Sequence, residues 1–93
     1  MENNNTISGF HVMKNEGGVI ELNTNKTYNW NIPKVLREDP IKQGDIVLVR
    51  TKHGFKPVLV MNVFREEFEE TKKRYKKVVK VLERAPEQKL VEV

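Results

Sequence analysis

Residues 44–63, Gly-Asp-Ile-Val-Leu-Val-Arg-Thr-Lys-His-Gly-Phe-Lys-Pro-Val-Leu-Val-Met-Asn-Val, restrict the fold more than any other stretch, because two β-branched runs flank a turn around Gly54. In the outgoing run, period-2 alternation sets Val47, Val49 and Thr51 against Ile46, Leu48 and Arg50. In the return it sets Val58, Val60 and Asn62 against Leu59, Met61 and Val63. This pattern predicts a β-hairpin. Both faces of each run are largely apolar, which suits strands enclosed in a small closed or two-layered sheet better than a ribbon on solvent. A mostly β fold follows. Valine is abundant while Ala85 is the only alanine, so the chain lacks the best helix former and is rich in a residue suited to pleated surfaces.

The remaining elements fit around that hairpin. Ile7 to Lys14 alternates and ends at the turn cluster Asn15-Glu16-Gly17-Gly18, and Val19 to Leu22 reads as its partner. The polar run Asn23-Thr24-Asn25-Lys26 predicts a second turn. After it Tyr28, Trp30 and Ile32 share one face of a strand, with Asn29 and Asn31 on the other. That aromatic face could serve as a stacking platform, but with polar Asn29 and Asn31 opposite it is expected to point into the core. Pro33 ends the strand, and between it and Pro40 there is room for one helical turn. Residues 65–84 admit two readings. As a helix, Phe64, Phe68, Tyr75, Val79 and Leu82 form a stripe. As a charged loop or short turn over 66–73 and a strand over 75–83, the same stretch uses Val78, Val79 and Val81 where β-branched residues fit best. The second reading is preferred. Leu90 to Val93 is an optional edge segment, and Met-Glu-Asn-Asn-Asn at the start is expected to be a loose tail on a single domain over residues 1–93.

Several function classes find no support. Cysteine is absent, which excludes a disulfide framework, a thiolate zinc site and a thiol nucleophile. Neither a cleavable signal nor an apolar run long enough for a membrane span is visible, so a cytoplasmic protein with no membrane partner is expected. His11 and His53 are the only histidines and lie on separate elements without metal-ligand spacing, and His11 reads as a strand surface residue. Ser8 has no nucleophile-elbow context, and Gly17-Gly18 is too short to cradle phosphate. A non-enzyme needing neither cofactor nor metal is the expectation.

Charge offers the one functional lead. The formal net charge is +4, and its distribution is uneven: residues 1–46 carry five Lys/Arg against six Asp/Glu, and residues 47–93 carry twelve against seven. A basic half favours nucleic acid or an acidic protein surface as partner. Two constellations could make the contact. One is the hairpin tip, where Lys52, His53 and Lys56 could meet phosphate while Phe55 stacks on a base. The other is the run of Lys72, Lys73, Arg74, Lys76, Lys77 and Lys80, partly offset by Glu66, Glu67, Glu69 and Glu70. A plain solvated surface is the competing reading of both, with Phe55 folded back onto the barrel at the tip.

The run from Gly44 to Val63, with its V-x-V-x-T strand, glycine-containing turn and V-x-V-x-x-V return, followed by Lys77-Val78-Val79-Lys80-Val81-Leu82, resembles the core of small SH3-like β-barrels. Over about residues 27–83 it also resembles short uncharacterised proteins of Gram-positive bacteria and their mobile elements. The expected fold is therefore a small SH3-like barrel or a compact antiparallel sheet with at most one short helix. The resemblance implies a binding module, since a fold of this kind hosts many functions and few enzymes. It transfers no functional residue. The expected function is nucleic-acid binding through the basic surface. The alternative is a protein-interaction or regulatory factor of a mobile element that uses an exposed apolar or edge-strand surface, including Phe55 or Phe68. The oligomeric state is not readable from the sequence.

Overall fold

A computed structural model of the chain describes residues 4–17, 19–67 and 75–85. The elements are β1 (Thr6–Glu16), β2 (Val19–Asn31), a single 3₁₀ turn (Lys34–Leu36), β3 (Ile46–Thr51), β4 (Gly54–Phe64) and β5 (Val78–Glu83). All strand pairings are antiparallel, in one five-stranded sheet of order β2-β1-β4-β3-β5. The sheet is not closed into a barrel. It curls until its two edge strands touch at one isolated parallel bridge between Asn31 and Lys77, where the Asn31 N–H donates to the Lys76 carbonyl at 2.9 Å.

The valine hairpin forms as its alternation requires. Thr51 pairs with Gly54 across a two-residue loop, so the turn is Lys52-His53 and Gly54 opens the return strand instead of centring the turn. Gly54 has φ +102°, a conformation open to glycine at little cost. The Thr51 hydroxyl donates to the Gly54 carbonyl at 2.7 Å and accepts the His53 N–H at 3.1 Å, which pins the loop. Val47, Val49, Val58 and Val60 are fully buried and join Ile7, Trp30, Ile32, Ile41 and Val78 in one core on the concave side. The second apolar face lies on the convex side, where Phe10, Leu48 and Leu59 are half-buried.

Bulges change which way side chains point. Ser8 pairs with Asn62 and Gly9 with Val60, which leaves Met61 as an extra residue in β4. Beyond it the parity flips, so Val63 packs against the core and Asn62 is exposed, the reverse of the simple alternation. A larger irregularity lies in β2. Gly9 pairs with Tyr28 and His11 with Asn23, so residues 24–27 stand opposite Phe10 alone. The expected reversal at Asn23-Thr24-Asn25-Lys26 is therefore a wide bulge inside one continuous strand. Its local turn chemistry is present, with the Asn25 N–H donating to the Asn23 side chain at 3.1 Å.

Two further expectations are settled by hydrogen bonding. Asn5, expected in a loose tail, is buried: its side chain accepts the Glu66 N–H and donates to the Glu66 carbonyl, both at 2.8 Å. It pairs like one more peptide unit of the sheet, and residues 1–3 lie outside the described set. Residues 78–83 form a strand, as the valine-rich reading required, while 68–74 and the edge segment at 90–93 lie outside the described residues. β5 is tied at its end by Asp45, which is 1% exposed and accepts hydrogen bonds from the Lys42 N–H, the Ala85 N–H and Arg84 Nη1 at 2.9, 2.7 and 3.0 Å.

Candidate functional site

Strands β1 to β4 each turn core residues to the concave side, and each series ends in different chemistry at the same end of the sheet. On β3, Val47 and Val49 lead to Thr51. On β4, Val60 and Val58 lead to Lys56, which pairs with Val49. On β1, Ile7 and Gly9 lead to His11, which pairs with Val58. On β2, Trp30 pairs with Ile7 and Tyr28 with Gly9, so both face inward. Where the valines stop, the curl leaves an open groove of about 870 Å³. His11, Tyr28 and Trp30 form its floor, Val12, Met13 and Asn23 of the β1–β2 arm one flank, and Lys52, His53, Lys56 and Pro57 the other, with Tyr75 and Lys76 at the approach of β5.

The floor is held from several sides. The Trp30 indole N–H donates to the Arg50 carbonyl at 3.2 Å, and the ring is only 4% exposed. The His11 ring meets Tyr28 and Trp30 edge-on at 5.2 and 5.5 Å, and Tyr28 lies tilted against Trp30 at 6.0 Å. Tyr28 is 42% exposed, with the Lys26 ammonium 5.0 Å from its ring centre. The Tyr75 hydroxyl accepts from the Asn29 amide at 3.3 Å and donates to a Glu66 carboxylate oxygen at 3.2 Å, which fastens the approach of β5 to β2. Among the described residues no Asp or Glu lines the groove, whereas Lys52, Lys56 and Lys76 do. The combination is an apolar aromatic floor under a cationic rim.

His11 responds to this setting. Burial lowers its pKa below the ordinary value of 6.5, and the positive charge of Lys56 pushes it further down. The unfolded chain therefore takes up this proton at a higher pH than the native one does. Stability from this group is complete above about pH 6.5, falls as pH drops through that value, and levels off once native His11 itself protonates. The thermal midpoint scanned from pH 7.5 to 5 is expected to fall less steeply in His11→Gln than in the unaltered protein. Superimposable profiles would remove this role. An anion held beside Lys56 would cancel part of the repulsion and raise the His11 pKa, so occupancy of the groove would strengthen on mild acidification.

The residues singled out by sequence separate into three groups. Lys52, His53, Lys56 and Lys76 line the groove. Phe55 does not: it is 54% exposed and lies opposite Arg50, whose guanidinium sits 5.5 Å over its ring. Lys77 and Lys80 are exposed on the β5 side and are not in the groove wall; Lys77 gives its carbonyl to the Arg50 N–H at 3.0 Å. Lys72, Lys73 and Arg74 lie outside the described residues. Sequence reasoning missed His11 and Tyr75 as site residues, and it weighed Tyr28 as part of a stacking platform but assigned it to the core. His11 is half-buried on the concave side and is not a plain surface residue, because β1 turns Ile7, Gly9 and His11 inward. The available signal was parity with Ile7 and, for Tyr28, its distance from the strand's buried end at Ile32.

Among the described residues no helix is long and apolar enough to cross a membrane, and no three His, Asp or Glu side chains gather as a metal site. No curated protein and no solved structure matches the chain. One family does, over a stretch that takes in all five strands and every residue of the groove. The chain belongs to DUF5839, a family of unknown function, which it matches over residues 2–84.

Proposed function

We propose that the protein is a small non-enzymatic binding module that takes nucleic acid in the groove between the β1–β2 arm and the β3–β4 turn. The observation that carries this reading is the joint lining of the groove by aromatic rings and lysines, with no carboxylate among the described lining residues. A lysine rim attracts phosphate regardless of sequence, and an aromatic floor accepts the faces of bases. The resemblance of residues 27–83 to SH3-like barrels, and to short proteins of Gram-positive bacteria and their mobile elements, supports binding over catalysis.

Labelled DNA and RNA oligonucleotides titrated at 50 and 200 mM salt test it. Three lysines on three phosphates give a log-log salt slope of about −2, so affinity should fall about 20-fold between the two conditions. No binding at micromolar protein and 50 mM salt, or binding indifferent to salt, overturns the proposal.

A second reading has its own observation. The outer part of the β1–β2 arm exposes Met13 (64%) and Val19 (70%), and Phe55 is exposed on the other side of the molecule. Such residues suit a protein partner held by apolar contacts. A single stoichiometric protein partner, lost on mutation of Val19 or Phe55, which are outside the groove lining, and kept on reversal of the groove charges, would favour it.

A further inference from the structure

We infer that the groove selects single strands over duplex, with the Tyr28 ring as the stacking platform for one base and Lys52 and Lys56 as the holders of the phosphates beside it. This rests on the nucleic-acid reading above and goes further, because a cationic surface alone would bind duplex at least as well. The lysines explain attraction. The floor explains choice.

Three observations lead there. Trp30 is too deeply buried to receive a base, and its indole N–H is already spent on the Arg50 carbonyl. Tyr28, on the same face and one step toward the open end, has 42% of its surface exposed within the groove. His11 and Trp30 brace it from the side at 5.2 and 6.0 Å, so the ring is positioned before any ligand arrives. A platform already ordered loses little freedom on binding.

Among the described residues, the cation over the Tyr28 ring is the Lys26 ammonium, at 5.0 Å. A cation over an exposed ring contributes about a two- to fivefold preference, whereas a stacked base contributes about five- to 150-fold. A base therefore displaces Lys26, and the freed ammonium can turn to a phosphate. The competition has a direction only for a base with an uncovered face. In duplex those faces are covered by neighbouring base pairs, and extruding a base to reach the floor adds a penalty that a single strand does not meet. The flanking arm, which carries Val12, Met13 and Asn23, also makes the platform the bottom of a trough. A flexible strand can lie along such a trough. A stiff duplex would rest on its rim.

The test uses the full chain, an unstructured 12-nucleotide single strand and the duplex of the same sequence, at one salt concentration. Labelled-oligonucleotide anisotropy gives affinity, and the fluorescence of Trp30, the only tryptophan, reports occupation of the floor. The single strand is expected to bind at least tenfold tighter than the duplex and to change the Trp30 signal. Tyr28→Ala should lower single-strand affinity about five- to 100-fold and leave duplex affinity and the salt slope alone. Tyr28→Leu, which keeps bulk against His11 and Trp30 without a π face, should lose nearly as much, and Tyr28→Phe should keep it. Lys56→Gln should weaken both ligands and flatten the salt slope. Equal single-strand and duplex affinity with a normal salt slope, or no loss in Tyr28→Ala and Tyr28→Leu, overturns the platform while leaving phosphate binding intact. Absence of binding to either ligand overturns the parent proposal as well.

Discussion

Asp45→Ala is expected to lower the free energy of unfolding by about 3 to 4 kcal/mol, because a buried carboxylate with three donors is removed and two backbone N–H groups are left without their acceptor. Asp45 is 1% exposed; one oxygen accepts the Ala85 N–H at 2.7 Å, and the other accepts the Lys42 N–H and Arg84 Nη1 at 2.9 and 3.0 Å. These contacts join the end of β5 to the turn ahead of β3, and among the described strands β5 is paired to β3 only, apart from the Lys77 bridge. Loss of the carboxylate therefore loosens a whole edge strand. Asp45→Asn should lose nearly as much, since both oxygens are acceptors and the new NH₂ would face a donor. Arg84→Met should cost less, about 1 to 2 kcal/mol: the arginine side chain is 40% exposed, and Asp45 would keep both N–H donors. For a domain of this size the Asp45→Ala loss corresponds to a fall in thermal midpoint of roughly 15 to 25 °C. Urea unfolding decides it. A shift of the midpoint at constant m-value is expected, and an Asp45→Ala loss no larger than that of Arg84→Met would show that the carboxylate is not the anchor.

The contrast between what could and could not be read beforehand has a common physical root. Valine alternation is a local property of the chain, and it was enough to specify the β3–β4 hairpin and the strand at 78–83, where β-branched residues at Val78, Val79 and Val81 weigh against a helix. The polar run at 23–26 shows where locality ends. Its asparagines do build a turn, with the Asn25 N–H on Asn23, but the fate of the chain depends on what pairs with its flanks. Here both flanks stay on β1, so four residues bulge out opposite Phe10 and the strand continues. Asn5 is the same case in a polar tail: only the distant Glu66 backbone, 61 residues away, makes its amide structural.

The site follows the same division. The lysines at 52, 56 and 76 were legible as charge, and their gathering on one groove was not, because β3–β4 and the approach to β5 meet only through the curl of the sheet. The aromatic floor was half legible. Parity correctly assigns Tyr28, Trp30 and Ile32 to one face, but parity does not say how far along a face the core extends. It extends past Trp30, which is 4% exposed, and stops before Tyr28, which is 42% exposed. One residue pair thus lies on either side of the line between packing and function.

Gly9 marks that line on the neighbouring strand, and Gly9→Ala is expected to cost about 3 kcal/mol, at the upper end for overpacking. A Cβ placed there would collide with the Leu59 carbonyl oxygen and lie 2.6 Å from Val58 Cγ1. One of these is backbone of the paired strand, which cannot rotate away, so β1 must move off β4. Gly9 pairs with both Tyr28 and Val60 and sits at the register shift before His11. The displacement is therefore delivered to the groove floor. Weakened oligonucleotide binding should accompany the stability loss, persisting at temperatures where Gly9→Ala is still fully folded by circular dichroism. Ser8→Ala, one position away with a half-buried side chain, should change stability by well under 1 kcal/mol and leave binding alone. If Gly9→Ala retained full stability, β1 and β4 would not be in the close register described, and the floor that joins His11 to Tyr28 would have to be drawn differently.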